Sequence, residues 1–183
     1  MTLSYLREKN SPLYGTVCGK AARRKRLAAA RKRRVASLRR RAGAGYPSVV
    51  MHSIPFSLRL DIREVGRAAR DLGICLPVDI RVIPLEEQEK SPNRNGYWTM
   101  AEGRHQVFLS VGLLAAEANR VLLHELGHCF QWEREAGEGR NWNQVAAAAR
   151  NVARDSYWDS WIEREAFAIA DEFGGDYSFF HEQ

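Results

Sequence analysis

The stretch Val121-Leu122-Leu123-His124-Glu125-Leu126-Gly127-His128 constrains this 183-residue chain more than any other. It contains H-E-x-x-H, two histidines four positions apart with a glutamate after the first. On a helix, residues i and i+4 stand one above the other on one face, so both imidazoles can reach a single metal ion from the same side. Glu125 is turned about 100° from His124 and points beside such an ion, where a general base for a metal-bound water would stand. The plain alternative is a helix with two surface histidines. Leu113, Leu114, Ala118, Val121, Leu122 and Leu126 argue against it, because a polar cluster in apolar surroundings is costly unless it binds something.

A catalytic zinc normally has three protein ligands and an open position. The metzincin extension of the motif requires glycine at 131 and histidine at 134, and the chain has Gln131 and Arg134. The one histidine downstream, His181, is the third residue from the C-terminus, where chains are commonly loose. A carboxylate on the segment WDSWIEREAFAIADEF is therefore expected to complete the site. Glu165 has Trp161 and Ile162 behind it and Ala168 and Ile169 ahead at helical spacing, which puts it in the apolar stripe. Glu163 has Asp159 and Ser160 behind it, on the wetter side. Glu165 is the expected third ligand. The competing reading pairs it with Arg164, Arg154 or Arg150. Ala166 next to it would let this helix come close to the H-E-x-x-H helix.

In chain order, DIREVGRAARDL (61–72) reads as an amphipathic helix with Ile62, Val65, Ala69 and Leu72 on one face and Gly73 as its cap. Residues 78–85 read as a strand ending near Pro84, and EEQEKSPNRNG as a polar loop. Residues 97–100 and 105–111 read as a hairpin. The H-E-x-x-H helix spans about 113–135, a short helix capped by Asn143 about 144–154, and a last helix runs from Ser156 or Tyr157 to Phe173, ended by Gly174-Gly175. The fold class is α+β: a sheet of three to four strands packed on the H-E-x-x-H helix and a C-terminal glutamate helix.

The net charge of +6 hides a division. Residues 1–45 carry 14 Lys/Arg against Glu8 alone, and the other 138 residues carry 14 against 21 acids. A basic arm (1–45) thus precedes a mildly acidic domain (46–183). The arm cannot bury enough apolar surface to fold alone. Its Arg23, Arg24, Lys25, Arg26, Arg31, Lys32, Arg33 and Arg34 would attract nucleic acid without sequence preference. A transit-like segment, or translation upstream of a true start at Met51, explains the same composition. No apolar region follows the arginines, so a secretory signal is not expected, nor is there a run of the 18 to 20 apolar residues that a membrane span needs. Cys18, Cys75 and Cys129 form no C-x-x-C and read as free thiols in a reducing, cytoplasmic compartment; Cys129 reads as a packed thiol rather than a ligand.

HELGH followed by E-x-E-A-x-x-x-A on a later helix resembles the gluzincin peptidases, in particular the small minigluzincins and ImmA/IrrE-like peptidases of bacteria, phages and mobile elements. The resemblance spans about Asp61 to Phe173 and is specific at His124, Glu125, His128 and Glu165-Ala166. Phe167 stands where the ImmA/IrrE-like group commonly has asparagine, and no helix-turn-helix unit is evident. The expected chemistry is hydrolysis of a protein or peptide substrate by water on one Zn²⁺ held by His124, His128 and Glu165. Glu125 takes the proton and passes it to the leaving amine. Tyr157, Tyr177 or His181 would serve as the oxyanion donor. The resemblance also implies that strand 105–111 or its hairpin partner aligns the substrate as an added strand. Two other classes compete with this one: a nucleic-acid-associated protein acting through its arm, and a metal-binding structural or toxin-like domain without peptidase activity.

Overall fold

A computed structural model of the chain describes residues 47–53, 57–152, 158 and 160–182. The basic arm, with all eight residues named for nucleic acid, lies outside them, as do Cys18 and Tyr157.

The helix expected after Asp61 forms as α1 (Ile62–Leu72). Asp61 Oδ1 accepts from the Arg63 and Glu64 amides, satisfying donors that a helix start leaves open. Gly73 ends the helix at φ 86°, a conformation that costs glycine nothing. The buried face is Val65, Ala68, Ala69 and Leu72, while Ile62 is exposed.

Three parallel or antiparallel pairings then build a four-stranded sheet from β1 (Val49–Met51), β3 (Val78–Val82), β4 (Gly96–Ala101) and β5 (Arg104–Leu109), in the order β1-β3-β5-β4. β3 runs parallel to both β1 and β5, and β4 returns antiparallel to β5 through a turn at Glu102-Gly103. β5 is therefore interior, and β4 forms one edge. A separate two-stranded sheet joins β2 (Leu58–Leu60) to β6 (Phe180–Glu182). The expected loop after Pro84 begins instead with a short helix, α2 (Leu85–Lys90). Glu86 and Glu87 in its first turn and Lys90 in its last suit the helix dipole.

α3 (Ala115–Gly137) carries H-E-x-x-H through the middle of the core. Ala118, Leu122, Leu123, Leu126 and Cys129 are fully buried in the core that α3 shares with β4, β5, β6 and α1. A buried polar chain locks its far end to the sheet. The Trp98 indole donates to His105 Nδ1 (3.0 Å), and His105 Nε2 meets Glu133 Oε1 (2.9 Å). The Glu133 carboxylate also accepts from the Cys75 and Leu76 amides. Each of these buried groups has a partner, so the network orders α3 against the sheet without leaving a costly orphan.

α4 (Trp142–Val152) follows a loop. Its cap is Asn141, not Asn143: Asn141 Oδ1 accepts from the Asn143 and Gln144 amides. α5 (Trp161–Phe173) starts later than the sequence suggests, with the Ser160 hydroxyl accepting from the Glu163 amide. Among the described helices, α3 and α5 share the most extensive contact. The class is α+β as expected, and among the described residues no helix is long and apolar enough to cross a membrane.

Candidate metal centre

α3 presents His124 and His128 one turn apart, with their Nε2 atoms 3.2 Å from each other. α5 brings Glu163 over them: Oε2 is 3.2 Å from His124 Nε2 and Oε1 is 3.5 Å from His128 Nε2. All three residues are buried, and together they could hold a metal ion.

The third group is thus Glu163, which corrects the expectation of Glu165. The Glu165 carboxylate is about one-third exposed and turns aside to Arg134 (Oε1 to Nη1, 2.5 Å) and to the Gln131 amide (3.1 Å). The physical reason lies at the helix start. Ser160 is the cap, so it belongs to no face of α5. Within the helix, Ile162, Glu163, Ala166, Ile169 and Ala170 are the buried positions. Glu163 is three residues before Ala166, on the same face, whereas Glu165 is rotated away by about 100°.

Two small residues make the approach possible. A Cβ on Gly127 would lie 3.2 Å from Ala166 Cα and 3.4 Å from its Cβ, so the glycine removes an obstruction between α3 and α5. The close contact expected of Ala166 is there, and the candidate ligand it brings in is Glu163. Gly96 does the same for β4: a Cβ there would fall 2.5 Å from a Val121 methyl and 3.4 Å from Glu125 Oε1. The edge strand therefore lies directly beside the glutamate of the motif.

Gln131 sets the chemistry of His128. Its Oε1 can only accept, so His128 Nδ1 (2.9 Å) carries the proton, and Nε2 turns toward the centre. The Gln131 amide nitrogen is itself held by the Ile162 carbonyl (2.8 Å) and Glu165. Gln131 and Arg134 stand where a metzincin would have glycine and histidine; here one orients a candidate ligand and the other holds Glu165. His124 is positioned by ring contacts, tilted on Phe167 (4.4 Å) and edge-on to His128 (4.7 Å), and its Nδ1 is buried without a hydrogen-bond partner among the described residues.

Two ring nitrogens and a carboxylate facing one another need a cation or a proton between them. The electrostatics follow. Burial lowers the affinity of His128 for a proton, but Glu163 and Glu125 outweigh it, and its pKa is raised. Burial pushes the Glu125 carboxyl up against the opposing pull of His128 and His124. Burial also pushes the Cys129 thiol well above its usual range, which suits the packed thiol expected.

The centre lies in a cleft of about 780 Å³ between β4, α3, α4 and α5. Of the expected oxyanion donors, Tyr177 and His181 do not line it. The Tyr177 hydroxyl donates to Asp71 on α1 (2.9 Å), and its ring stacks on Phe179; His181 lies in β6, paired with Arg59 of β2. Tyr97 does line the cleft, but its hydroxyl donates to Glu87 (2.9 Å), and burial above all pushes its pKa up to about 12.

Gln131→Leu keeps the size of the side chain and removes the acceptor from His128 Nδ1. Metal affinity is expected to fall about 10- to 100-fold, as it does when a group that orients a ligand is lost; titration against a chelator of known affinity measures it. An unchanged affinity would show that the contact does not orient the ligand.

Comparison of the chain with protein families, with curated proteins and with solved structures finds no match.

Proposed function

We propose that this protein is a zinc-dependent metallopeptidase. The observation that carries the reading is the convergence of His124 Nε2, His128 Nε2 and the Glu163 carboxylate, with Glu125 beside them, in a cleft bordered by a strand edge that is unpaired among the described residues. Zinc is favoured over other ions by the donor set and by its spacing. Bonds of about 2.0–2.2 Å in a tetrahedron place donor atoms about 3.3–3.6 Å apart, against separations of 3.2, 3.2 and 3.5 Å here. Zinc in such a site acidifies water and polarises a carbonyl.

The chain's own residues would do the rest. An extended peptide pairs with the outer edge of β4. The interior strand β5 is hydrogen-bonded on both sides and has no edge to offer, so the hairpin partner, rather than 105–111, aligns the substrate. Gly96 brings that edge to Glu125. Water oxygen adds to the scissile carbonyl carbon, Glu125 accepts the proton, and the same proton goes to the amine as the C–N bond breaks. Gln131 keeps the His128 tautomer fixed throughout.

Glu125→Gln removes the proton acceptor and no candidate ligand. It is expected to retain about one zinc per chain while cleavage of a quenched peptide library slows at least about a hundredfold. Zinc retained with proteolysis unchanged would overturn the peptidase reading.

A further inference from the structure

The described residues around the mouth of the cleft are charged in one sense. Arg94, Arg120 and Arg150 line it, and Glu125 and Glu163, both at the centre, are the acids that line it. Arg120 stands one turn before His124 on the face that carries the histidines. Arg94 leads into Gly96, where β4 meets Glu125. Arg150 comes from α4, across the cleft. Arg94 is paired with Glu87 (2.9 Å) and Arg120 with Asp171 (3.1 Å), but all four side chains are more than one-third exposed. Such pairs are worth little and exchange readily for a ligand's carboxylate. Arg150 has no partner among the described residues and is exposed. A divalent ion at the centre would balance Glu125 and Glu163, leaving Arg150, joined by Arg94 and Arg120 once a substrate carboxylate displaces their exposed partners, to set the field that a substrate meets.

The same cleft has an aromatic side. Trp98 and Trp142 meet edge to face (5.6 Å), and Trp158 stands 61% exposed against Phe167. Going along β4, Trp98 lies on one side of the Gly96–Glu125 contact and Arg94 on the other.

We infer that the cleft selects peptides that carry, about the cut bond, both acidic residues, held by Arg94, Arg120 and Arg150, and apolar residues, packed on Trp98, Trp142 and Trp158. This rests on the peptidase reading for the word "cut", and on the cleft alone for the ligand class. Arginine suits the task because its planar fork takes a carboxylate through two hydrogen bonds and loses less water than an ammonium does.

The test uses the full-length Glu125→Gln protein loaded with zinc, and tryptophan fluorescence as the signal. The chain has five tryptophans, all between positions 98 and 161, and three line the cleft, so the signal comes from the cleft and not from the basic arm. The probes are peptides with one apolar half and one half rich in Asp and Glu, in both orders, beside peptides whose second half is Ser and Asn, or Lys. The better acidic order is expected to bind about tenfold more tightly than the neutral peptide at low salt, with the advantage shrinking as salt is added. Arg94→Gln, Arg120→Gln and Arg150→Gln combined should erase that advantage; the arm is unaltered in this variant, so its own attraction for acids cancels. Equal affinity for acidic and neutral peptides, a preference for the lysine peptide, or an advantage that survives the triple substitution would each overturn the inference. Acid-selective binding combined with no cleavage of any peptide by the zinc-loaded wild-type protein would uphold the ligand class and remove the peptidase reading.

Discussion

Glu163→Ala is expected to abolish the zinc binding proposed above, and Glu165→Ala to leave it at about one zinc per chain. Loss of Glu163 takes away one of three converging donors and leaves two histidines whose Nε2 atoms are 3.2 Å apart with no carboxylate over them. The affinity lost should exceed the 10- to 100-fold expected for a supporting contact such as Gln131. Loss of Glu165 removes one of two carboxylate partners of Arg134, Glu135 remaining at 2.8 Å, and one of the two acceptors of the Gln131 amide, but Gln131 keeps the Ile162 carbonyl and with it the bond to His128. That pair is partly exposed and its removal costs up to about 1 kcal/mol of stability. Metal analysis after dialysis against a weak chelator reads the difference directly. Thermal unfolding provides a second readout, because an ion that binds only the folded state stabilises it by about 2.7 kcal/mol at a concentration a hundred times its dissociation constant. Added zinc should raise the midpoint of the wild type and of Glu165→Ala, and leave that of Glu163→Ala where it was. The reverse pattern would move the third ligand back to Glu165.

The front half of this site was legible because it is local. H-E-x-x-H needs only the 3.6-residue period of one helix to bring His124 and His128 together, and the apolar residues around it announce a buried helix. The back half depends on where α5 begins. Counting Asp159 and Ser160 as helical neighbours of Glu163 makes it look wet; the helix begins only after Ser160, and Glu163 shares the buried face of Ala166 and Ile169. The sequence did carry a signal: an alanine that permits close approach marks the face of contact, and the carboxylate three residues before it lies on that face, whereas the one next to it does not. Tyr177 and His181 could not be placed, because their positions depend on the three-residue pairing of β2 with β6, too short to leave a period in the sequence. The same shortness hid β1. The roles of Gln131 and Arg134 were also out of reach, since both are defined by α5 and by nothing on their own helix.

Gly127→Val should break the site without touching a ligand. Glycine inside a helix costs about 1 kcal/mol relative to alanine, so its presence in the middle of α3 calls for a compensating role. The space supplies it: a bare Cβ at 127 would already sit 3.2 Å from the Ala166 backbone and 3.5 Å from Ile169 Cδ1. Alanine requires α5 to give way by a few tenths of an ångström. Valine adds two methyl groups with no room on that side, and α3 and α5 must part. Overpacking of this kind costs about 1–3 kcal/mol. Its larger effect is on the metal, because Glu163 stands one turn from Ala166 and moves with α5, away from histidines fixed on α3. The expected outcome is a zinc affinity reduced at least about tenfold, with the secondary structure intact by circular dichroism. Gly137→Ala, at the end of the same helix where a Cβ meets nothing within 4 Å, should leave zinc affinity unaltered. The milder Gly127→Ala should weaken zinc less than valine does, and Ala166→Gly added to it should restore affinity by returning the lost space, although the second glycine lowers stability. Wild-type zinc affinity in Gly127→Val would mean that the separation of α3 and α5 does not govern the position of Glu163.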